Sequence, residues 1–311
     1  MFRIGGAVAV LGQHLVNFKC MNPLQSEAQV FYLSRIVGAI LPIVLSVLSV
    51  LLWLIAGRCR TVIELRSKIK ASVVAILFLQ WPGLCSQTFS LFACRQVCGQ
   101  ILLRVDLDET CWGEWGTRHI SYAVYLGVPM VVLYVLGLPG VAFFNVWRAQ
   151  RRAFTRGAKI ETLKGHLTWG LFYSAYDPKV WFWEITVALR KITIAFLGVF
   201  GASMGEMQVH LTAWGMVCVI VMTAVVRPFG KRTLLQYLEM GTLLATWMTL
   251  WAGTVFNAYP RCEQPGGGGG TEGWCDFLSV MIGVLNVVMV VAVVVVIAFY
   301  TNQTKCVGCF E

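Results

Sequence analysis

The chain has 311 residues, 58% of them hydrophobic and only 13% charged, with a formal net charge of +10. Soluble domains carry about 25% charged residues, so this balance excludes an ordinary soluble enzyme and points to an all-α, multi-pass membrane bundle. The basic excess lies in short loops between apolar runs, the pattern of loops facing anionic lipid, which excludes nucleic acid as the partner.

Residues 1–34 open with a short apolar run. A weak signal peptide is one reading, but no A-x-A-like cleavage site stands out; an extracellular or interfacial segment is the simpler one. A transmembrane domain is expected over 35–301, with membrane-length apolar stretches near 35–56, 71–91, 120–147, 181–200, 209–226, 234–256 and 277–300. The third contains Pro129 and the Gly137-Leu138-Pro139-Gly140 step, which predicts a kink or break. The fifth is short and ends at Arg227-Pro228. Residues 302–311 form a tail.

The loops alternate in charge. Arg58, Arg60, Arg66, Lys68 and Lys70 lie between the first two stretches, Arg148 to Lys164 follow the third, and Arg227, Lys231 and Arg232 follow the fifth. The intervening loops hold Asp106, Asp108, Glu109 and Glu114, then Glu263, Glu272 and Asp276. The positive-inside rule places the N-terminus outside and the C-terminus in the cytosol, with seven spans. Asn302-Gln303-Thr304 is a sequon that this topology keeps from glycosylation.

Cysteines follow the same division. Cys94, Cys98 and Cys111 fall in one outer loop, and Cys262 and Cys275 flank the glycine run of the other. Outer loops meet an oxidising compartment, which favours disulfides. Cys262–Cys275 closes a short glycine-rich loop; Cys94–Cys111 is the better pairing in the first loop, leaving Cys98 or Cys20 over. No histidine stands at ligand spacing in sequence from these cysteines, so no metal site is expected. Cys59, Cys306 and Cys309 are juxtamembrane and cytosolic in this topology, which makes them palmitoylation candidates.

The stretch 181–200 carries Glu184, Arg190 and Lys191 inside an apolar run. Lys191 lies ten residues beyond Trp181, about 15 Å deep at ~1.5 Å per residue. A charge there costs at least ~2.5–3.5 kcal/mol, so it is paired, turned inward or functional. Glu184 and Lys191 stand about 10 Å apart along one helix face, too far for a direct bridge. An interhelical network with Glu239 of the sixth stretch is therefore expected. Packing of two spans, an ion path and lipid-headgroup binding all fit these residues. His119 and His210 read as interfacial histidines, and Trp81, Trp112, Trp115, Trp181, Trp183, Trp251 and Trp274 as an aromatic belt. No HExxH, GxSxG or P-loop is present, so no enzyme and no cofactor are expected.

The landmarks run in a recognisable order: Trp81-Pro82, Phe92-Ala93-Cys94, Asp106 to Cys111, His119, Gly137-Leu138-Pro139, Leu171-Phe172-Tyr173-x-x-Tyr176, Trp183-Glu184, Arg190-Lys191, Arg227-Pro228-Phe229 and Glu239. In this order the chain resembles the TRP-like, polycystin-like transmembrane domains of algae, oomycetes and other protists, distantly similar to fungal TRP-like proteins. The resemblance covers about Gln13 to Phe256, and its core is LFYSAYDPKVWFWEITVALRK. It implies a cation channel or channel subunit, oligomeric, among membrane lipids. The plasma membrane is the expected location, with ciliary and vacuolar membranes as others. Tyr173, Tyr176, Trp183, Pro139 and Pro228 are its motif residues. Two features depart from the family: its large cysteine-rich ectodomain is missing, and no pore-loop sequence stands out, leaving Glu263, Glu272 and Asp276 as outer-mouth acids. A seven-span receptor, or a transporter or anchor domain of a larger surface protein, are the competing readings.

Overall fold

The structure, a computed structural model, describes residues 26–56, 62–156, 176–230, 232–258 and 273–307. The chain divides into two compact units, Met1–Ser203 and Met204–Glu311.

The first unit opens with helices α1 (Glu27–Ala56) and α2 (Val62–Ser90). They pack antiparallel. At one end Trp53 Nε1 donates to Ser72 Oγ at 2.9 Å; further along, Gly38 lies against the Gln87 side chain. Each step along α1 is thus matched by an equal step back along α2. Both helices start earlier than the apolar runs suggest. Ala28, Phe31 and Tyr32, spaced i, i+3, i+4, bury against Leu91, Leu103, Cys111 and Met130. The first turns of α1 face protein, so a scan for lipid-length apolarity does not see them, and the N-terminal boundary at 34 moves back to Glu27.

After α2 the chain forms a two-stranded antiparallel hairpin, β1 (Cys94–Val97) and β2 (Gln100–Leu103), pairing Cys94 with Leu103 and Val97 with Gln100. Its two-residue turn, Cys98-Gly99, has φ of 49° and 82°. Positive φ at both positions belongs to a turn whose twist matches that of the strands.

A long helical run follows: α3 (Arg118–Tyr122), a π stretch Ala123–Gly127, α4 (Val128–Met130), a second π stretch Val131–Gly137, and α5 (Leu138–Arg156). The helical run is not broken at the prolines; a π stretch stands before each of them. Pro129 and Pro139 each remove an N–H and push on the preceding turn, and i→i+5 bonding absorbs both. Ala142 and Val146 of α5 bury against Val74, Phe78 and Trp181. Asp177 caps a 3₁₀ turn, Pro178–Val180, by accepting from Lys179 N, and α6 (Trp183–Phe200) completes the unit. Its face Ala188, Ile192, Ala195 packs on Trp81, Cys85 and Val135.

The second unit holds α7 (Met207–Val226), α8 (Thr233–Ala258) and α9 (Gly273–Val307). Arg227 ends α7 in the left-handed region (φ 47°), its N–H bonding to Thr223 O. Pro228 then forbids continuation. Gln236 of α8 reaches back to the same Thr223 carbonyl at 3.0 Å. At the other end of α8, Asn257 Nδ2 donates to Glu206 Oε1 at 2.9 Å. Gly241 faces Met289, and Asn286 donates to Thr249 Oγ1 at 3.0 Å, joining α8 to α9.

Among the described residues, five helical stretches are long and apolar enough to cross a membrane: Glu27–Ala56, Leu65–Ser90, Arg118–Arg151, Met207–Val226 and Trp274–Val296. Their apolar side chains, such as Leu52, Ile55, Leu79 and Val225, are largely exposed. These are the features of a helical integral membrane protein. α6 and α8 stand where two more spans were expected. α6 carries three charges, and α8 carries Glu239 and a ladder of threonines.

Candidate functional site

The segment that runs from the end of the hairpin into the first turn of α3 takes an orphan backbone group from each of three helix ends. Asp106 Oδ2 accepts from Ala28 N at 2.9 Å, in the first turn of α1. His119 Nε2 donates to Leu91 O at 3.1 Å, just past the end of α2. Arg104 Nη1 donates to Val199 O at 2.9 Å, in the last turn of α6. Helix termini leave such donors and acceptors unsatisfied, so one short segment acts as a clasp for three helices.

At the centre of the clasp, Cys94 and Cys111 form a disulfide with Cα atoms 6.2 Å apart, the pairing favoured for this loop. His119 is fully buried beside it, its Nε2 3.7 Å from Cys94 Sγ. Trp112 N donates to His119 Nδ1 at 3.5 Å, and the Trp112 indole sits edge-on to the imidazole at 5.2 Å and stacks on Phe92 at 6.3 Å. The hydrogen bonds give the neutral tautomer with its proton on Nε2. Arg118 and Glu109 add an ion pair at 3.7 Å; Arg118 is half-exposed, so the pair contributes little. Cys98 is free and exposed at the hairpin turn.

His119 corrects the sequence reading. No histidine was placed at ligand distance from these cysteines, yet the three side chains bring their ligand atoms within 4.8 Å of one another. Spacing along the chain failed as a guide because the hairpin folds Cys94 back over the start of α3. The one sequence signal is His119 following Cys111 by eight residues.

The second cluster lies on α6. Tyr176 donates its hydroxyl to Glu184 Oε2 at 2.8 Å. Glu184 is in the first turn of the helix, where a carboxylate is favoured by the backbone dipole. Arg190 and Lys191 are half-buried. Lys191 is one turn from both Ala188 and Ala195, on the face that packs against α2. Arg190 points about 100° away. Trp183 is buried and holds the start of the helix.

Glu239 is half-buried in α8 of the second unit, and Asp276 is exposed in the first turn of α9. Cys275 is buried and disulfide-bonded. Pro139 sits in the first turn of α5, and Pro228 is buried after α7. His210 is exposed near the start of α7. Cys306 is on the last turns of α9. Tyr173, Cys59, Cys262, Glu263, Glu272 and Cys309 lie outside the described residues.

Sequence reasoning missed the roles of Arg104 and Asp106 at helix ends, and the bond from Trp81 Nε1 to Tyr134 O at 2.9 Å. Trp81 had been assigned to the interfacial belt; it is buried between helices.

Compared with protein-family models, characterised proteins and solved structures, the chain matches none. The TRP-like likeness rests on the motif residues alone.

Proposed function

We propose that the chain is a subunit of a TRP-like cation channel, crossing the plasma membrane seven times with its N-terminus outside. The observation that carries this reading is the pair Arg190 and Lys191, half-buried in the middle of α6, with Lys191 on the face packed against α2. Ionisable side chains inside a membrane bundle are costly, and they recur in ion paths, gating elements and lipid sites. The likeness of 171–191 to TRP-like domains supports the same reading. Glu184, held by Tyr176 at 2.8 Å, stands at the start of that helix. The clasp holds the ends of three helices on the opposite side, so a movement of α6 is transmitted to α1 and α2. Inorganic cations are the conducted species in this reading, with Asp276, exposed in the first turn of α9, as an outer-mouth acid.

The test is reconstitution of the purified full chain in planar bilayers. Cation currents are expected that change in conductance or open probability on Glu184→Gln and Lys191→Gln. A well-folded oligomer that never conducts overturns the proposal.

A further inference from the structure

We propose that Cys94, Cys111 and His119 form a redox-gated site for a thiophilic divalent cation such as Zn²⁺. The disulfide and the ion are alternative occupants of the same three side chains. The ligand atoms lie within 4.8 Å of one another. A tetrahedral ion with bonds of about 2.3 Å to sulfur and about 2.0 Å to nitrogen holds S and N about 3.5 Å apart. Cys94 Sγ and His119 Nε2 are already 3.7 Å apart. The two sulfurs must separate to about 3.8 Å, with Cys111 Sγ brought to about 3.5 Å from the same imidazole nitrogen. Two thiolates and an imidazole are the donor set that selects zinc over hard cations, and the fourth position stays open.

His119 is 0% exposed and Cys111 5%, so both are desolvated and set in place before any ion arrives. Cys94 is half-buried and offers the route of attack.

The chemistry balances with an external dithiol as reductant. Its thiolate attacks Cys94 Sγ and the S–S bond breaks, releasing Cys111 as thiolate. Its second thiol resolves the mixed disulfide and frees Cys94. The dithiol gives up two electrons and two protons and ends as its own disulfide. The ion then binds both sulfurs as thiolates and releases those two protons to solvent. His119 stays neutral, its proton passing from Nε2 to Nδ1. The contact that yields is the hydrogen bond from Trp112 N, long at 3.5 Å. Leu91 O loses its donor at the same moment, so the ion also releases one of the three helix ends held by the clasp.

The probe is Co²⁺, titrated anaerobically into the purified full chain in detergent before and after reduction. The reduced chain is expected to take up one Co²⁺ with sulfur-to-cobalt absorption in the near ultraviolet, displaced by Zn²⁺; the oxidised chain takes none. His119→Gln is expected to weaken binding at least ~10-fold, the smallest loss seen when even an outer partner of a metal ligand is disturbed. Cys98→Ser leaves it unchanged. If reduced and oxidised wild-type chains take up equal Co²⁺, the proposal fails, and that comparison needs no variant. It fails equally if the sulfur band survives in Cys94→Ser.

Discussion

Trp81 donates its indole N–H to the carbonyl of Tyr134 at 2.9 Å, across the interface between α2 and the second π stretch. In π register that carbonyl looks for the N–H of residue 139, which is a proline and has none. Trp81 fills the vacancy. Tyr134 then gives its own hydroxyl to Ala39 O at 2.8 Å, so one hydrogen-bond chain links the middles of three helices.

Trp81→Phe keeps the ring but leaves the Tyr134 carbonyl unsatisfied in an apolar interior. A loss of ~1–3 kcal/mol is expected, read by unfolding in mixed micelles. Pro139→Ala restores an N–H, and in that background the Trp81→Phe cost is expected to fall by half or more. Costs that add within ~0.5 kcal/mol would show that the two residues do not share this carbonyl.

Cys94 and Cys111 are 17 residues apart in sequence. Closing a loop of that length restricts the unfolded chain by about 3 kcal/mol. The Cys94→Ala/Cys111→Ala chain is expected to melt well below the oxidised wild type. Equal melting of oxidised wild type and double variant would refute the assignment.

Asp106 acts as a helix cap supplied from far along the chain, accepting from Ala28 N. Asp106→Ala is expected to cost ~0.5–2 kcal/mol, and Asp106→Asn distinctly less because an acceptor remains. The loss should appear as faster hydrogen exchange in the first turn of α1. Unchanged protection of Ala28 to Tyr32 in Asp106→Ala would rule out the cap.

Alanine ordinarily gains up to ~1 kcal/mol over glycine inside a helix. At Gly38 the sign reverses, because an added Cβ runs into the Gln87 amide. Gly38→Ala is expected to destabilise by ~1–3 kcal/mol. Gly38→Ala/Gln87→Ala should recover most of the loss; a single variant as stable as wild type would mean that Gln87 simply swings away.

Much of the chain was legible because a bilayer imposes a simple rule: about 20 apolar residues per span. α1, α2, α7 and α9 announce themselves in that way. α6 is less plain, since Glu184, Arg190 and Lys191 dilute its apolarity. The start of α1 was misplaced because Ala28, Phe31 and Tyr32 bury against the hairpin rather than lipid. The prolines of the third span signalled a disturbance, but whether it becomes a break or a π stretch depends on a partner for the freed carbonyl. Trp81, contributed by α2, is that partner.

The candidate site divides in the same manner. The amino-acid sequence by itself determined that this is a helical membrane protein, that α6 carries charges needing partners, and that Cys94 and Cys111 stand in a loop able to bond them. These are consequences of composition and of short-range spacing, which solvent and covalent geometry enforce locally. Tertiary structure alone decided that His119 meets those cysteines, that Asp106, His119 and Arg104 satisfy three helix ends, and that Tyr176 holds Glu184. Orphan backbone groups and buried polar atoms must find partners somewhere, but which residue arrives is set by how helices and hairpin pack in space.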